Sequence, residues 1–373
     1  MKKVLIVANN NLARGGIQHV IMSIAENLSP EYRFDVVCFS KRPGGHDSAF
    51  RAMGGEIHYI PRYEGSSRFR QRLDFYIRFL RIYFGIRRIL RRGSYDVIHC
   101  HNGEESGICL LAAAAEGIPV RITHAHTAFD NYHQYNFIRK WYTDSLRRLI
   151  RKHATACVGC SEPANRVLYG SHPSQVIYNT IDFQRFDPKH YPVPGQHGSP
   201  VLVHVAGFCD NKNQLFSVEV LHALTRLFPD PKLILVGGDS LSYMQAYKRE
   251  VEDKLKVYGL ADRVTILPQD TDIPSVMAQA DFLLFPSKRE GLGTVAIEAQ
   301  CLGLQCFVSD SVTKEVDCGG CVFLPLESGA PHWADAIAER FHANGGARGD
   351  WKMERFHTHT IMNAFKKLYD GAI

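Results

Sequence analysis

The stretch Asp281-Phe-Leu-Leu-Phe-Pro-Ser-Lys-Arg-Glu-Gly-Leu-Gly-Thr-Val-Ala-Ile-Glu298 decides the fold. Asp281 to Phe285 is a short, mostly apolar run suited to a buried parallel strand. Pro286 and Ser287 end it. Gly291 and Gly293 let the backbone come close to a ligand, and a helix is expected to open near Thr294. Free N–H groups and the positive end of the helix dipole suit a phosphate at that point. Glu290 stands before the helix and Glu298 about one turn inside it. A carboxylate accepts two hydrogen bonds from a sugar diol.

The same strand-and-helix rhythm runs through the chain, which argues for α/β architecture with parallel sheets. Residues 3–8, 34–39, 56–60, 97–100, 120–124 and 156–160 read as strands. The rhythm restarts with 201–206, 232–236, 264–267, 282–285 and 306–309, so two doubly wound units are expected. Between them, residues 187–200 hold four prolines and two glycines and read as a linker. The boundaries follow: residues 1–186, a linker 187–200, residues 201–349, and an amphipathic C-terminal helix within 350–373.

Composition narrows the class. At 373 residues two domains are expected, and no apolar run reaches the length of a membrane span. The amino terminus, Met1 to Asn9, reads as a first strand rather than a signal peptide. Ten cysteines without a secretory signal fit a reducing cytoplasm, and most sit in apolar runs. Two Cys-x-x-Cys pairs, Cys157/Cys160 and Cys318/Cys321, lie too far apart to be read as one zinc site. Charge is uneven: residues 1–200 carry 27 Lys and Arg against 16 Asp and Glu, the remainder 17 against 22.

The segment around Glu290 and Glu298, continued by Ala299 to Glu315, resembles the Glu-x7-Glu block of family 4 retaining glycosyltransferases, in the branch that builds capsular and exopolysaccharides. The resemblance implies the GT-B fold, two Rossmann-like doubly wound domains facing across a cleft, with the last helix returning to the first domain. It implies that Glu290 contacts donor-sugar hydroxyls, that Glu298 holds the ribose, and that the backbone at Gly291, Leu292, Gly293 and Thr294 cradles the diphosphate. Lys212 matches the family's phosphate-binding lysine, but Gly207 stands where the family carries an arginine; Arg289 or Lys288 is the expected substitute. The loop Leu267 to Ile273 is expected to border the base. Gly237-Gly238 either faces the nucleotide or merely turns the chain.

In the first half, Gly15-Gly16 resembles the family's double-glycine loop and opens a helix, a second anion-friendly terminus; it is not a dinucleotide fingerprint. His126 matches a family histidine near the transferred sugar and joins Glu290 as an expected catalytic residue; His101 reads as a hydrogen-bonded loop histidine that could border the acceptor pocket. No metal and no cofactor are expected. Asp270-Thr-Asp272 is read as a helix start with Asp272 as cap, not as a metal motif. A set of His124, His126 and His133 is set aside because alternate strand residues point to opposite faces.

The segment Arg68 to Arg92 carries nine arginines among aromatic residues, and as a helix it places Arg78, Arg81, Arg88 and Arg92 on one stripe. Arg139 to Tyr142 and Arg147 to Lys152 add a second basic, aromatic patch. Such surfaces suit anionic lipid head groups, with a buried helix and snorkelling arginines as the alternative. Nucleic acid is set aside because a nucleotide-sugar enzyme of this branch works on a lipid-linked saccharide. The expectation is therefore a cytoplasmic glycosyltransferase, peripheral to the inner face of the membrane. It moves a hexose from a nucleotide sugar, most simply a UDP-sugar, to a lipid-linked or polysaccharide acceptor. A UDP-sugar epimerase of the same fold and a non-catalytic nucleotide-sugar-binding subunit are the rival readings.

Overall fold

The computed structural model describes residues 1–13, 15–62, 67–130, 132–192, 195 and 197–371. Of the arginine and aromatic segment Arg68 to Arg92, the side chains of residues 68–73, 75 and 76 lie outside that description. Every strand pairing within it is parallel. The strands divide between two units, one of residues Met1–Thr180 with Thr358–Ile373, the other of residues Ile181–His357.

The first unit holds strands β1 (Lys2–Val7), β2 (Tyr32–Cys38), β3 (Ile57–Tyr59), β4 (Val97–Cys100), β5 (Val120–Ala125), β6 (Ala156–Gly159) and β7 (Gln175–Val176). Its helices are α1 (Gly16–Leu28), α2 (Asp47–Ala52), α3 (Arg68–Gly93), α4 (Ser106–Ala115), α5 (Phe137–His153) and α6 (Glu162–Tyr169). The second unit holds β8 (Val201–Val205), α7 (Gln214–Leu224), β9 (Lys232–Val236), α8 (Ser242–Tyr258), β10 (Val264–Leu267) and α9 (Ile273–Ala278). It continues with β11 (Phe282–Phe285), α10 (Thr294–Cys301), β12 (Gln305–Ser309), β13 (Cys321–Leu324) and α11 (Gly329–Asn344). The last helix, α12 (Thr358–Asp370), belongs to the first unit.

Strand order is β3-β2-β1-β4-β5-β6-β7 in one sheet and β10-β9-β8-β11-β12-β13 in the other. Central strands such as β4, β6 and β11 are buried at every residue, because helices cover both faces of a parallel sheet. In the first unit α12 places Ile361, Met362, Phe365, Leu368 and Tyr369 in the core. Its end is tied by Asp370, 2.9 Å from Lys2 Nζ and accepting from the Tyr32 hydroxyl at 3.0 Å. In the second unit the fully buried Trp333 of α11 donates to the Pro325 carbonyl at 2.9 Å.

The proline-rich stretch 187–200 lies within the second unit, where Asp187 caps a short turn by accepting from Lys189 N–H at 3.0 Å. The edge strand β13 escaped the sequence reading although Cys321-Val-Phe-Leu324 is apolar throughout; it is only four residues long and three of them are half-buried.

Candidate functional site

In an open parallel sheet, ligands sit beyond the carboxyl ends of the strands where the order reverses. In the second sheet that place lies between β8 and β11. The loops that follow these strands are stitched together. Lys288 N–H donates to the Asn211 carbonyl at 2.8 Å, and the Asn211 side chain donates to the Arg289 carbonyl at 2.8 Å. Asn213 adds a bond to the Pro286 carbonyl at 3.3 Å. Asn213 and Gly293 both take left-handed backbone, with φ of 62° and 92°, immediately before α7 and α10. At Gly293 an added Cβ would also press on the Phe285 ring, at 3.1 Å, so glycine is required there twice over.

This stitching brings Lys212 and Glu290 together, with Nζ 2.5 Å from Oε1. Glu290 is 11 % exposed and Lys212 27 %, so each charge needs the other. Glu298 lies within α10, half-buried. Burial pushes its carboxyl up to about 7, against a smaller opposing pull from Arg185. Gly291 and Thr294 are half-buried, Leu292 is buried, and Lys288 and Arg289 are exposed. At Gly207 an added Cβ would meet only the flexible end of Met244, at 2.9 Å; nothing in the backbone forbids a side chain there, and no guanidinium is supplied. Gly237 is different, since a Cβ would lie 1.9 Å from the Ala206 carbonyl oxygen. Packing of one loop on the next accounts for it.

Asp272 occupies the cap position of α9 but makes no side-chain cap bond, contrary to the sequence reading. Its carboxylate is 3.6 Å from the Arg185 guanidinium, which competes for it.

In the first sheet the order reverses between β1 and β4. Gly15 and Gly16 follow β1 and begin α1; Gly15 is extended, and a Cβ on Gly16 would touch nothing within 4 Å. His101 follows β4 and His126 follows β5, and His101 Nδ1 lies 2.8 Å from His126 Nε2. Burial lowers the His126 imidazole to about 3, so it is neutral. A cavity of about 310 Å³ opens here, with His126, Asn102, Glu104, Asp130 and Tyr135 among its walls. Arg147 spans its two carboxylates, 3.2 Å from Glu104 and 2.7 Å from Asp130. The sequence reading passed over Glu104 and Asp130 and placed Arg147 in a basic surface patch; Arg147 is instead committed to these two carboxylates, through contacts up to 43 residues apart. A larger cavity of about 880 Å³ lies at the start of β6 against α12, lined by none of these residues.

The reason given for setting aside the strand histidines fails. His124 and His126 are two residues apart and share a face, and their rings stack at 4.2 Å. His133 lies in a separate short turn.

The arginine stripe is also corrected in part. Arg78 is 2.8 Å from Glu105 and Arg81 pairs with Asp74, so both are committed within the fold, while Arg88 and Arg92 are exposed. The exposed face of α3 instead carries Ile77, Leu80 and Phe84, followed by Arg88, Arg91 and Arg92. The exposed face of α5 repeats this order: Phe137, Ile138 and Trp141, at 82 %, 65 % and 61 % exposure, then Arg148, Arg151 and Lys152. Both helices pack against α4. No described helix is long and apolar enough to cross a membrane.

Comparison with known proteins adds a second kind of finding. Residues 14–185 match the profile of Glycosyltransferase Family 4, and residues 188–316 that of Glycosyl transferases group 1. The chain is 28 % identical over 354 residues to the putative glycosyltransferase EpsF of Bacillus subtilis, covering 90 % of this chain and 87 % of that one. It is 26 % identical over 311 residues to the capsular polysaccharide biosynthesis glycosyltransferase CapH of Staphylococcus aureus, covering 82 % and 80 %. Over 239 residues, 60 % of each chain, it is 25 % identical to the UDP-Gal:alpha-D-GlcNAc-diphosphoundecaprenol alpha-1,3-galactosyltransferase of Escherichia coli. In fold it is similar to Anabaena Alr3699/HepE, solved in complex with UDP-glucose, with a TM-score of 0.76, 18 % identity and full coverage of both chains.

Proposed function

The chain belongs to the family 4 glycosyltransferases of GT-B fold, and we propose that it moves a hexosyl unit from a UDP-sugar to a lipid-linked saccharide, with retention at the anomeric carbon. The observation that carries this reading is the Lys212–Glu290 pair beyond β8 and β11, beside the amino end of α10. Glu290 takes sugar hydroxyls while Lys212 holds it in place and faces the diphosphate. Backbone N–H groups at Gly291, Leu292, Gly293 and Thr294 meet the charge that grows on the leaving diphosphate, with Arg289 as a further cation. Donors fixed in advance stabilise that charge more in the transition state than in the ground state. Glu298 accepts from the ribose diol. UDP is favoured because HepE was solved with UDP-glucose and the Escherichia coli relative is named for UDP-Gal.

In the reaction the bond from the anomeric carbon to the phosphate oxygen breaks. The acceptor oxygen bonds that carbon on the same face, and the acceptor proton passes to the departing phosphate oxygen. No carboxylate is used as nucleophile and no metal is used at the diphosphate. In the first unit His126 is assigned a catalytic role, and Gly15 and Gly16 a role in donor binding. Detection of a covalent glycosyl-Glu290 adduct would overturn this scheme.

The acceptor is assigned to a lipid diphosphate because the Escherichia coli relative is named for such an acceptor, and because α3 and α5 each present apolar residues ahead of basic ones. Apolar side chains that enter the headgroup boundary, with cations behind them, suit the anionic inner face of a membrane. Trp141 reports on this directly, since Trp333 is buried and Trp351 half-buried. Its emission should shift to the blue on phosphatidylglycerol vesicles, and Phe137→Ser with Ile138→Ser should abolish co-sedimentation. Unchanged co-sedimentation of that variant would remove the membrane assignment.

The central test is a screen of nucleotide sugars scored by donor hydrolysis, wild type beside Glu290→Gln. Turnover should be lost while UDP affinity falls only mildly, because Glu290 meets sugar rather than nucleotide. Equal activity in the two proteins would remove the assignment. UDP binding without turnover on any donor or lipid extract would favour a non-catalytic subunit, a reading that Gly207 keeps in play.

A further inference from the structure

The first unit contains a cluster of histidines that the transfer reaction does not use. Cys100 of β4 pairs with Thr123 of β5, so His99, His101 and His124 stand together on one face of the sheet. Phe365 and Tyr369 of α12 lie against that face. All three histidines are buried, at no more than 1 % exposure. His99 Nδ1 is 2.9 Å from the Tyr369 hydroxyl, and His101 Nδ1 is 2.8 Å from His126 Nε2. The remaining nitrogens, His99 Nε2, His101 Nε2 and both of His124, have no hydrogen-bond partner among the described residues. Four unpartnered buried ring nitrogens in one place are uncommon, because each forfeits its hydration without replacement.

We propose that His99, His101 and His124 bind one divalent transition-metal ion, zinc or a neighbour such as nickel or copper. Three observations meet in this assignment. One ring nitrogen from each residue lies within 4.8 Å of the others, and small ring rotations would bring them to the roughly 3.3 Å that tetrahedral zinc–nitrogen bonds require. Imidazole donors without carboxylates suit zinc, nickel and copper rather than magnesium or calcium. The outer nitrogens of His99 and His101 already have the hydrogen-bonded partners that orient metal-bound imidazoles. The ion would fix the His101 ring and through it the orientation of His126. It would lie in the first unit, whereas the diphosphate chemistry is assigned to residues of the second. Only the role of His126 rests on the transferase reading.

The full-length protein, free of any histidine tag, is unfolded with a chelator and refolded with Co2+ or Zn2+. Metal is then counted by mass spectrometry, and Co2+ coordination is read from its visible ligand-field absorption. About one ion per chain is expected, with a higher melting temperature than the chelated protein. His124→Leu is the decisive variant, since His124 has no hydrogen bond to lose. It should abolish the stoichiometric ion and the cobalt spectrum, while hydrogen-exchange protection of β1, β4 and β5 peptides shows that the first unit is folded. If wild type refolds with the same protection of its first-unit peptides but retains no ion, the proposal is overturned. If the ion persists in His124→Leu, it is an adventitious ion only, and the proposal is equally overturned. Loss of transferase activity alone would bear on neither outcome.

Discussion

The first unit holds neutral histidines beside its sheet, whereas the second holds a half-buried carboxyl in the helix that follows its central strand. His99, His101, His124 and His126 are all held below their ordinary pKa by burial. Glu298 is held above its own, at about 7. The difference teaches that one fold repeated in one chain can lose stability in acid in one unit and hardly respond in the other. In the unfolded chain each histidine takes up a proton below about 6.5, which the folded first unit refuses. Stability of that unit is therefore complete above pH 6.5 and is lost as pH falls. In the second unit His204, lowered to about 3, acts in the same direction. Glu298 opposes it: between about pH 7 and 4.5 the folded state holds a proton that the unfolded state has released, so stability rises on acidification. The two nearly cancel.

Hydrogen exchange followed by mass spectrometry between pH 7 and 5, corrected for intrinsic rates, resolves the units. Peptides of the first unit should lose protection while those of the second keep it. Loss of protection in the second unit first would break the comparison.

A smaller effect separates the ion pairs of the two units. Lys212 and Glu290 are mostly hidden from water, whereas Lys2 and Asp370 are 41 % and 55 % exposed. Removing one partner of a hidden pair strands the other charge. Lys212→Met should cost about 2 kcal/mol in urea denaturation, and adding Glu290→Gln should restore most of it. Lys2→Met should cost no more than about 0.5 kcal/mol. Equal costs at the two positions would mean that the 2.5 Å approach of Lys212 to Glu290 contributes nothing beyond a surface pair.

This contrast also marks what the sequence could and could not reveal. Strands such as β11, and the turn from Phe285 to Thr294, are legible because their signals are local: an apolar run, its terminators, then glycines before a helix. The pairing of Lys212 with Glu290 spans 78 positions, and only a family resemblance put both residues in one site. The histidine cluster depends on the register of β4 against β5, which no local pattern encodes. The arginine stripe misled for the same reason. Helical periodicity aligned Arg78 and Arg81 with Arg88 and Arg92, but Glu105 and Asp74 claim the first two. Asp272 was a cap by position and an ion-pair partner by geometry.

The raised carboxyl of Glu298 sharpens the comparison through ligand binding. If Glu298 accepts from both hydroxyls of a ribose diol, the ionised form binds better, and binding releases a proton below about pH 7. UDP affinity, followed by calorimetry, should rise up to tenfold per pH unit toward 7 and level off above it. Glu298→Gln should bind more weakly and with a flat profile. A flat profile in wild type would separate Glu298 from the ribose.

The smallest effect tests whether the glycines of the two units do the same work. Gly293 has φ 92° and faces Phe285, so alanine there strains the free protein itself. Gly16 opens α1 with nothing within 4 Å of an added methyl. Alanine also restricts the unfolded chain, so Gly16→Ala should stabilise the protein by about 0.5 kcal/mol, seen as a small rise in melting temperature. If donor sugar or phosphate comes close to this turn, the methyl that costs nothing in the free protein will collide with the ligand. Donor affinity should then fall while stability rises, a separation that a purely structural glycine would not show. Unchanged donor affinity in a stabilised Gly16→Ala would leave this glycine as a helix opener alone, and would confine the phosphate-cradling turn to the second unit.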